Sequence, residues 1–233
     1  MTKNKKERFA EMKAFPNVIE PEFQEIFNKN YRLRGQWNKE FFKNNHPIVL
    51  ELGCGKGEYT VNLARHFPLQ NFIGIDIKGA RMWKGAKTAL EENIPNAGFL
   101  RTRIDFITSF FDKDEVKEIW VTFPDPQPKK ARKRLTSTKF LAYYQKFMQN
   151  KGVIHLKTDH TLVYQYTLKI VQENELELIH AERDIHGTNK SELEKVRNIQ
   201  TFYEKQFVEQ NKKIKYLSFK LNINQDLKEP PDE

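Results

Sequence analysis

The sequence predicts an α/β fold built on a doubly wound, mostly parallel sheet of seven strands with helices on both faces, and three observations carry that expectation. From His46 onward, short apolar runs alternate with helical stretches, which is how successive β-α units read. The first apolar run ends in a glycine-rich turn of the kind that receives a ligand at a strand's carboxyl end. Two further extended runs follow the last β-α repeat and add to the same sheet.

Taken in order, strands are expected near 48–52, 71–76, 98–103, 117–123 and 151–157, and helices near 57–67, 79–93, 138–149 and 160–174. Extended runs at 175–182 and 213–221 enclose a helical segment around 193–209. Residues 1–46, with ten Lys/Arg and six Asp/Glu, read as a basic, partly helical N-terminal extension. Residues 47–222 hold the α/β domain and 223–233 form a polar C-terminal tail.

Composition narrows the function. The 233 residues are 38% apolar and 30% charged, with a mean hydropathy of -0.75. No window approaches the roughly 18 apolar residues of a membrane span, so no membrane association is expected, and the N-terminus lacks the apolar stretch of a secretory signal. The single cysteine, Cys54, excludes intrachain disulfides and cysteine-based zinc sites and fits a reducing cytoplasm. The six histidines show no metal-ligand spacing, so no metal is expected. A net charge of +9 favours a polyanionic partner. Monomer and homodimer are both compatible with the sequence.

The strongest local signal is Glu51-Leu52-Gly53-Cys54-Gly55-Lys56-Gly57-Glu58, where an apolar strand runs into glycines at alternate positions and the backbone must turn tightly and approach a ligand closely. Glu58 stands where a dinucleotide fingerprint has its third glycine, which disfavours an NAD oxidoreductase. Glu51, just before the first glycine, suits a ligand with a cationic end, such as S-adenosylmethionine with its ammonium and sulfonium. Asp76 closes the second strand, where a carboxylate accepts ribose hydroxyls, and Asp105 follows the third, where it can accept from an adenine amino group. Cys54 reads as a small filler residue.

The fourth strand leads into Pro124-Asp125-Pro126-Gln127-Pro128, a carboxylate between prolines that fix φ and limit the loop's freedom. Lys129 to Arg134 then place five basic residues in six, a phosphate-tracking feature if the substrate is nucleic acid. Thr201-Phe202-Tyr203-Glu204 has the spacing of a helix capping box, which is the reading its spacing alone favours.

Glu51 to Gly57, Gly74-Ile75-Asp76, Phe123 to Lys130, His155-Leu156-Lys157-Thr158-Asp159 and Thr201 to Glu204, in this order, resemble the bacterial tRNA (guanine-N7-)-methyltransferase (TrmB) family over roughly residues 47–221. The resemblance implies a Rossmann-like class I methyltransferase fold and transfer of a methyl group from S-adenosylmethionine to guanine N7 at position 46 of tRNA, in the variable loop. It implies that Glu51, Gly53, Gly55, Gly57, Asp76, Asp105 and Asp125 bind the cofactor, and that Asp125 is also the catalytic residue. It assigns Lys129, Asp159, Thr201, Phe202, Tyr203 and Glu204 to the tRNA substrate, with Asp159 and Glu204 as candidate acceptors for the guanine N1-H and N2-H donors. Two departures stand out: Gln127 occupies a position where the family usually has tryptophan, and the basic stretch after Lys130 is shorter than usual. Another nucleic-acid N-methyltransferase and a non-catalytic RNA-binding protein on the same fold are the alternatives.

Overall fold

A computed structural model describes residues 4–231. Eight strands form one sheet: β1 (Val18–Ile19), β2 (Ile48–Leu52), β3 (Asn71–Asp76), β4 (Ala97–Arg101), β5 (Val116–Thr122), β6 (Met148–Thr158), β7 (Leu178–Glu182) and β8 (Lys215–Leu221). Their order is β1-β4-β3-β2-β5-β6-β8-β7, with β8 antiparallel to both of its neighbours and every other pair parallel. The fold class is the one the sequence predicts. The additional strand is β1, two residues of the N-terminal extension that pair Val18 with Phe99 and Ile19 with Leu100 along the edge of β4.

Alternation along the strands sends side chains to two cores. Val49, Phe72, Phe99, Trp120 and Tyr216 pack beneath α3 (Glu58–His66) and α4 (Gly79–Glu91), with Met12 of α1 (Lys5–Met12) against them. Leu50, Ile73, Leu100, Ile119, Ile154 and Phe219 face the opposite side, covered by α5 (Thr138–Tyr144) and α6 (Thr161–Glu173) together with Ile26 of α2 (Phe23–Ile26). Strands buried on both faces are the reason these segments read as nearly continuous apolar runs.

The extension is part of this second core. Trp37 is fully buried, donates from Nε1 to the Phe110 carbonyl at 2.8 Å and stacks on Phe111. The Glu115 carboxylate accepts from the amides of Gly35 at 2.9 Å and Asp112 at 2.8 Å, tying the extension to the turn before β5.

Two boundaries differ from expectation. The helix expected over 138–149 ends at Tyr144, because Phe147 and Met148 continue the apolar spacing into the sheet, where Met148 pairs with Val116. The helical segment around 193–209 divides into α7 (Glu194–Asn198) and α8 (Phe202–Glu209), with an elbow at 199–201 where Thr201 accepts from the Glu204 amide at 3.1 Å and starts the second helix. The C-terminal tail lies over α5 and α6: Asn174 donates to the Lys228 carbonyl at 2.9 Å, and the Glu229 carboxylate accepts from the hydroxyls of Thr138 and Tyr166.

Candidate active site

Strand order reverses between β2 and β5, since β3 and β4 extend the sheet on one side and β6 on the other. At such a switch point the connections leave in opposite directions and open a crevice at the carboxyl ends of the strands. A cavity of about 430 Å³ occupies this place, lined among others by Glu51, Gly53, Gly55, Asp76, Asp125 and Tyr203.

The glycine loop is shaped by backbone requirements. Gly53, Gly55 and Gly57 all have positive φ, at 77°, 55° and 70°. Beside Gly57 the space is also taken: an added Cβ would stand 2.5 Å from Cε1 of Phe99. Over Gly53 and Gly55 the nearest atoms would lie 4.0 Å away, so there the loop presents bare backbone to the cavity. Glu58, in place of a third glycine, opens α3, and its carboxylate accepts from the Phe202 amide at 2.9 Å while pairing with Lys84 at 3.4 Å. The residue that disfavoured a dinucleotide site therefore fastens α8 to the glycine loop.

Glu51 is nearly inaccessible. Its carboxylate accepts from the Thr60 amide at 2.8 Å, from the Thr60 hydroxyl and from the Thr122 hydroxyl at 2.6 Å. Burial pushes its pKa from the ordinary 4.5 up to about 7, against the lowering effect of these hydrogen bonds. Asp76 accepts from the Gly55 amide at 2.9 Å and the Lys78 amide at 2.8 Å, so the end of β3 braces the glycine loop. Thr60 and Thr122 carry no sequence signal; their role follows only from where α3 and β5 meet β2.

Asp125 sits between two non-glycine residues in the left-handed region, Phe123 at φ 46° and Gln127 at φ 44°. Backbone strain of this kind persists only where the surroundings enforce it. Here the Phe123 amide donates to the Lys157 carbonyl at 2.8 Å, the Gln127 amide donates to Asp125 Oδ1 at 3.1 Å, and Arg134 Nε donates to the Pro126 carbonyl at 3.1 Å. Arg134 is buried and its guanidinium lies 4.4 Å from the Tyr166 ring centroid. The basic run is thus divided: Arg134 supports the Asp125 loop from within, whereas Lys129, Lys130 and Arg132 are exposed.

The remaining expected site residues separate into two groups. Thr201 and Tyr203 line the cavity, and Lys56 Nζ lies 4.3 Å from the Phe202 ring and 5.2 Å from the Tyr203 ring. Lys129 lines a neighbouring groove with Arg134 and Glu229, and the Asp159 carbonyl accepts from Lys215. Two further expected residues lie outside the cavity lining. Asp105 lies in the 3-10 turn Ile104–Ser109 outside the cavity wall, paired with Lys139 at 3.0 Å and Arg103 at 3.3 Å. Burial raises its pKa, but those two cations outweigh it and hold the group below its ordinary value. Glu204 is fully buried, paired with Lys157 at 2.7 Å, and stands behind the cavity wall that Thr201 and Tyr203 line. The capping spacing is real only in half, since Thr201 caps α8 while the Glu204 side chain turns inward. Among the described residues no cluster of His, Cys, Asp or Glu is arranged to hold a metal ion.

Residues 45–217 match the family model described as "Putative methyltransferase". The tRNA (guanine-N(7)-)-methyltransferase of Christiangramia forsetii is 51% identical over 94% of this chain and 99% of its own. The chain belongs to the tRNA (guanine-N(7)-)-methyltransferase family. Another relative bearing the name, from Bacteroides fragilis, is 48% identical over the whole chain and 92% of its own. The 16S rRNA methyltransferase KamB has a similar solved structure, with a TM-score of 0.60 over 79% of this chain and 92% of that one. At 15% identity that likeness speaks to the fold alone. The glycine loop and the Pro-Asp-Pro loop thus stand in a chain of a methyltransferase family.

Proposed function

We infer that this protein transfers the methyl group of S-adenosylmethionine to N7 of guanine in tRNA, at position 46 of the variable loop. The observation that carries the reading is the single cavity joining Glu51, Asp76 and the bare glycine loop to Asp125 in a chain of this family. The residues present fit the cofactor: a buried carboxylate at Glu51 for its ammonium, backbone without side chains at Gly53 and Gly55, and Asp76 at the strand end for ribose hydroxyls. Bound there, the cofactor supplies a methyl group on a sulfonium.

Guanine N7 offers an in-plane lone pair and no proton to lose. With no proton to abstract, alignment of N7 with the methyl group that the cofactor would supply matters more than a general base. Positive charge arrives on the purine, and Asp125, held by its strained loop, stabilises it electrostatically. Thr201 and Tyr203 border the slot beside Asp125, and the exposed Lys129, Lys130 and Arg132 meet backbone phosphates. A tRNA substrate implies action in the cytoplasm. No helix among the described residues is long and apolar enough to cross a membrane.

The test is transfer of labelled methyl to unmodified tRNA, with mapping of the modified base, for wild type and Asp125→Ala. The expected result is label at N7 of guanine 46, lost in the variant. Label on another base or position, or full activity without Asp125, refutes the assignment.

A further inference from the structure

Lys157 lies at the carboxyl end of β6, beside the Asp125 loop, and is fully buried. Its ammonium uses all three donors on one short stretch of chain: the carbonyls of Val196 at 2.6 Å and Ile199 at 2.9 Å, and Glu204 Oε1 at 2.7 Å. The first two are carbonyls at the end of α7 and the third is a carboxylate in the first turn of α8, so the cation meets the negative end of one helix and the anion the positive end of the next. His186 Nε2 approaches the same Oε1 at 2.9 Å, and the Tyr59 ring lies 5.3 Å from the ammonium. The elbow held in this way is 199–201, from which Thr201 and Tyr203 enter the cavity wall. The backbone of Lys157 holds the opposite wall, since its carbonyl accepts from the amide of Phe123, where the strained turn into Pro124-Asp125 begins.

We propose that Lys157, through its ion pair with Glu204, is a positioning residue that sets the spacing between the Asp125 loop and the Thr201–Tyr203 elbow, and so the width of the slot that receives guanine. The inference rests on the function proposed above and adds to it a device that neither touches the substrate nor titrates in turnover. Stability alone does not account for it: a buried ion pair is often matched or exceeded in stability by apolar side chains of similar volume. An apolar pair, however, offers no directional bonds to the Val196 and Ile199 carbonyls. Their loss allows the elbow to shift, and a displacement of about 1 Å in an aligned methyl transfer is worth about 100-fold in rate.

The test uses the full-length protein. Lys157→Met alone leaves the buried Glu204 carboxylate with only the His186 imidazole beside it and is expected to lower Tm strongly. The double variant Lys157→Met/Glu204→Leu removes both charges and is expected to recover Tm. In it kcat on tRNA stays down about 100-fold, while KM for tRNA and Kd for S-adenosylmethionine move by less than about threefold. A folded double variant with wild-type kcat overturns the proposal. Glu204→Gln serves where the double variant does not fold: the amide oxygen still accepts from Lys157, so kcat is expected to fall by no more than about tenfold. A loss of about 100-fold at unchanged Tm would instead make the carboxylate a group that reads the substrate, and would also overturn the proposal. Amide exchange supplies a readout independent of turnover. Protection of the Phe123 and Phe202 amides, relative to those of β2, is expected to drop in the double variant. Unchanged protection refutes the positioning role even if wild type transfers no methyl to tRNA, an outcome that by itself refutes only the function.

Discussion

Replacing Glu51 by glutamine separates what the buried carboxylate does for binding from what it does to the fold. Its pKa stands near 7 in the folded protein, raised from 4.5 by burial. That difference corresponds to ~3 kcal/mol between the protonated and charged forms. The sign follows from proton counting. Between pH 4.5 and 7 the native state holds a proton that the unfolded chain has released, so the contribution of Glu51 is most favourable below 4.5 and is lost as pH rises through 7. Above that, the unliganded protein carries a buried charge at Glu51. Glu51→Gln removes the penalty but leaves part of the hydrogen-bond set of Thr60 and Thr122 unmade, a loss of about 1 kcal/mol that does not depend on pH. The quantity to read is therefore the pH dependence of the stability difference. In urea denaturation of the unliganded proteins, the variant should gain ~3 kcal/mol relative to wild type between pH 4.5 and pH 8, the other titrating groups cancelling in the comparison. Isothermal calorimetry on the same proteins should show wild-type affinity for S-adenosylmethionine falling about tenfold per pH unit below 7, and weak, nearly pH-independent binding in the variant. Parallel stability curves for the two proteins would refute the claim that Glu51 is a destabilising charge kept for the ligand.

Other changes are expected to act at separable points. Gly57→Ala meets both a φ of 70° and the Phe99 ring, and should lower unfolding free energy by about 2 kcal/mol or more in denaturant titration. Lys129→Ala and Lys130→Ala should each reduce the slope of log affinity for tRNA against log salt by about one. Arg134→Ala should leave that slope unchanged while lowering kcat, because its guanidinium holds the Pro126 carbonyl instead of a phosphate. Trp37→Ala should destabilise the whole domain by about 3–5 kcal/mol in thermal or denaturant unfolding, because the extension is built into the core.

The local pattern of the chain determined the order of strands and helices, the glycine loop after β2 and the stiff Pro-Asp-Pro loop after β5. Each is encoded within a few residues, by apolar periodicity, by glycines that alone adopt positive φ easily, or by prolines that fix it. That is why Glu51, Asp76 and Asp125 were legible as neighbours: a doubly wound sheet brings its strand ends to one crevice whatever the surrounding details. Only the tertiary structure decided which way the other charged side chains face. A basic hexamer does not reveal that Arg134 turns inward while Lys129 stays exposed, because both are compatible with the same loop sequence. Asp105 belongs to Lys139, and Glu204 to Lys157, through contacts spanning 34 residues in the first case and the meeting of β6 with α8 in the second. Such pairings depend on the balance between desolvation and a partner's charge at one point in space, and no spacing along the chain encodes that balance.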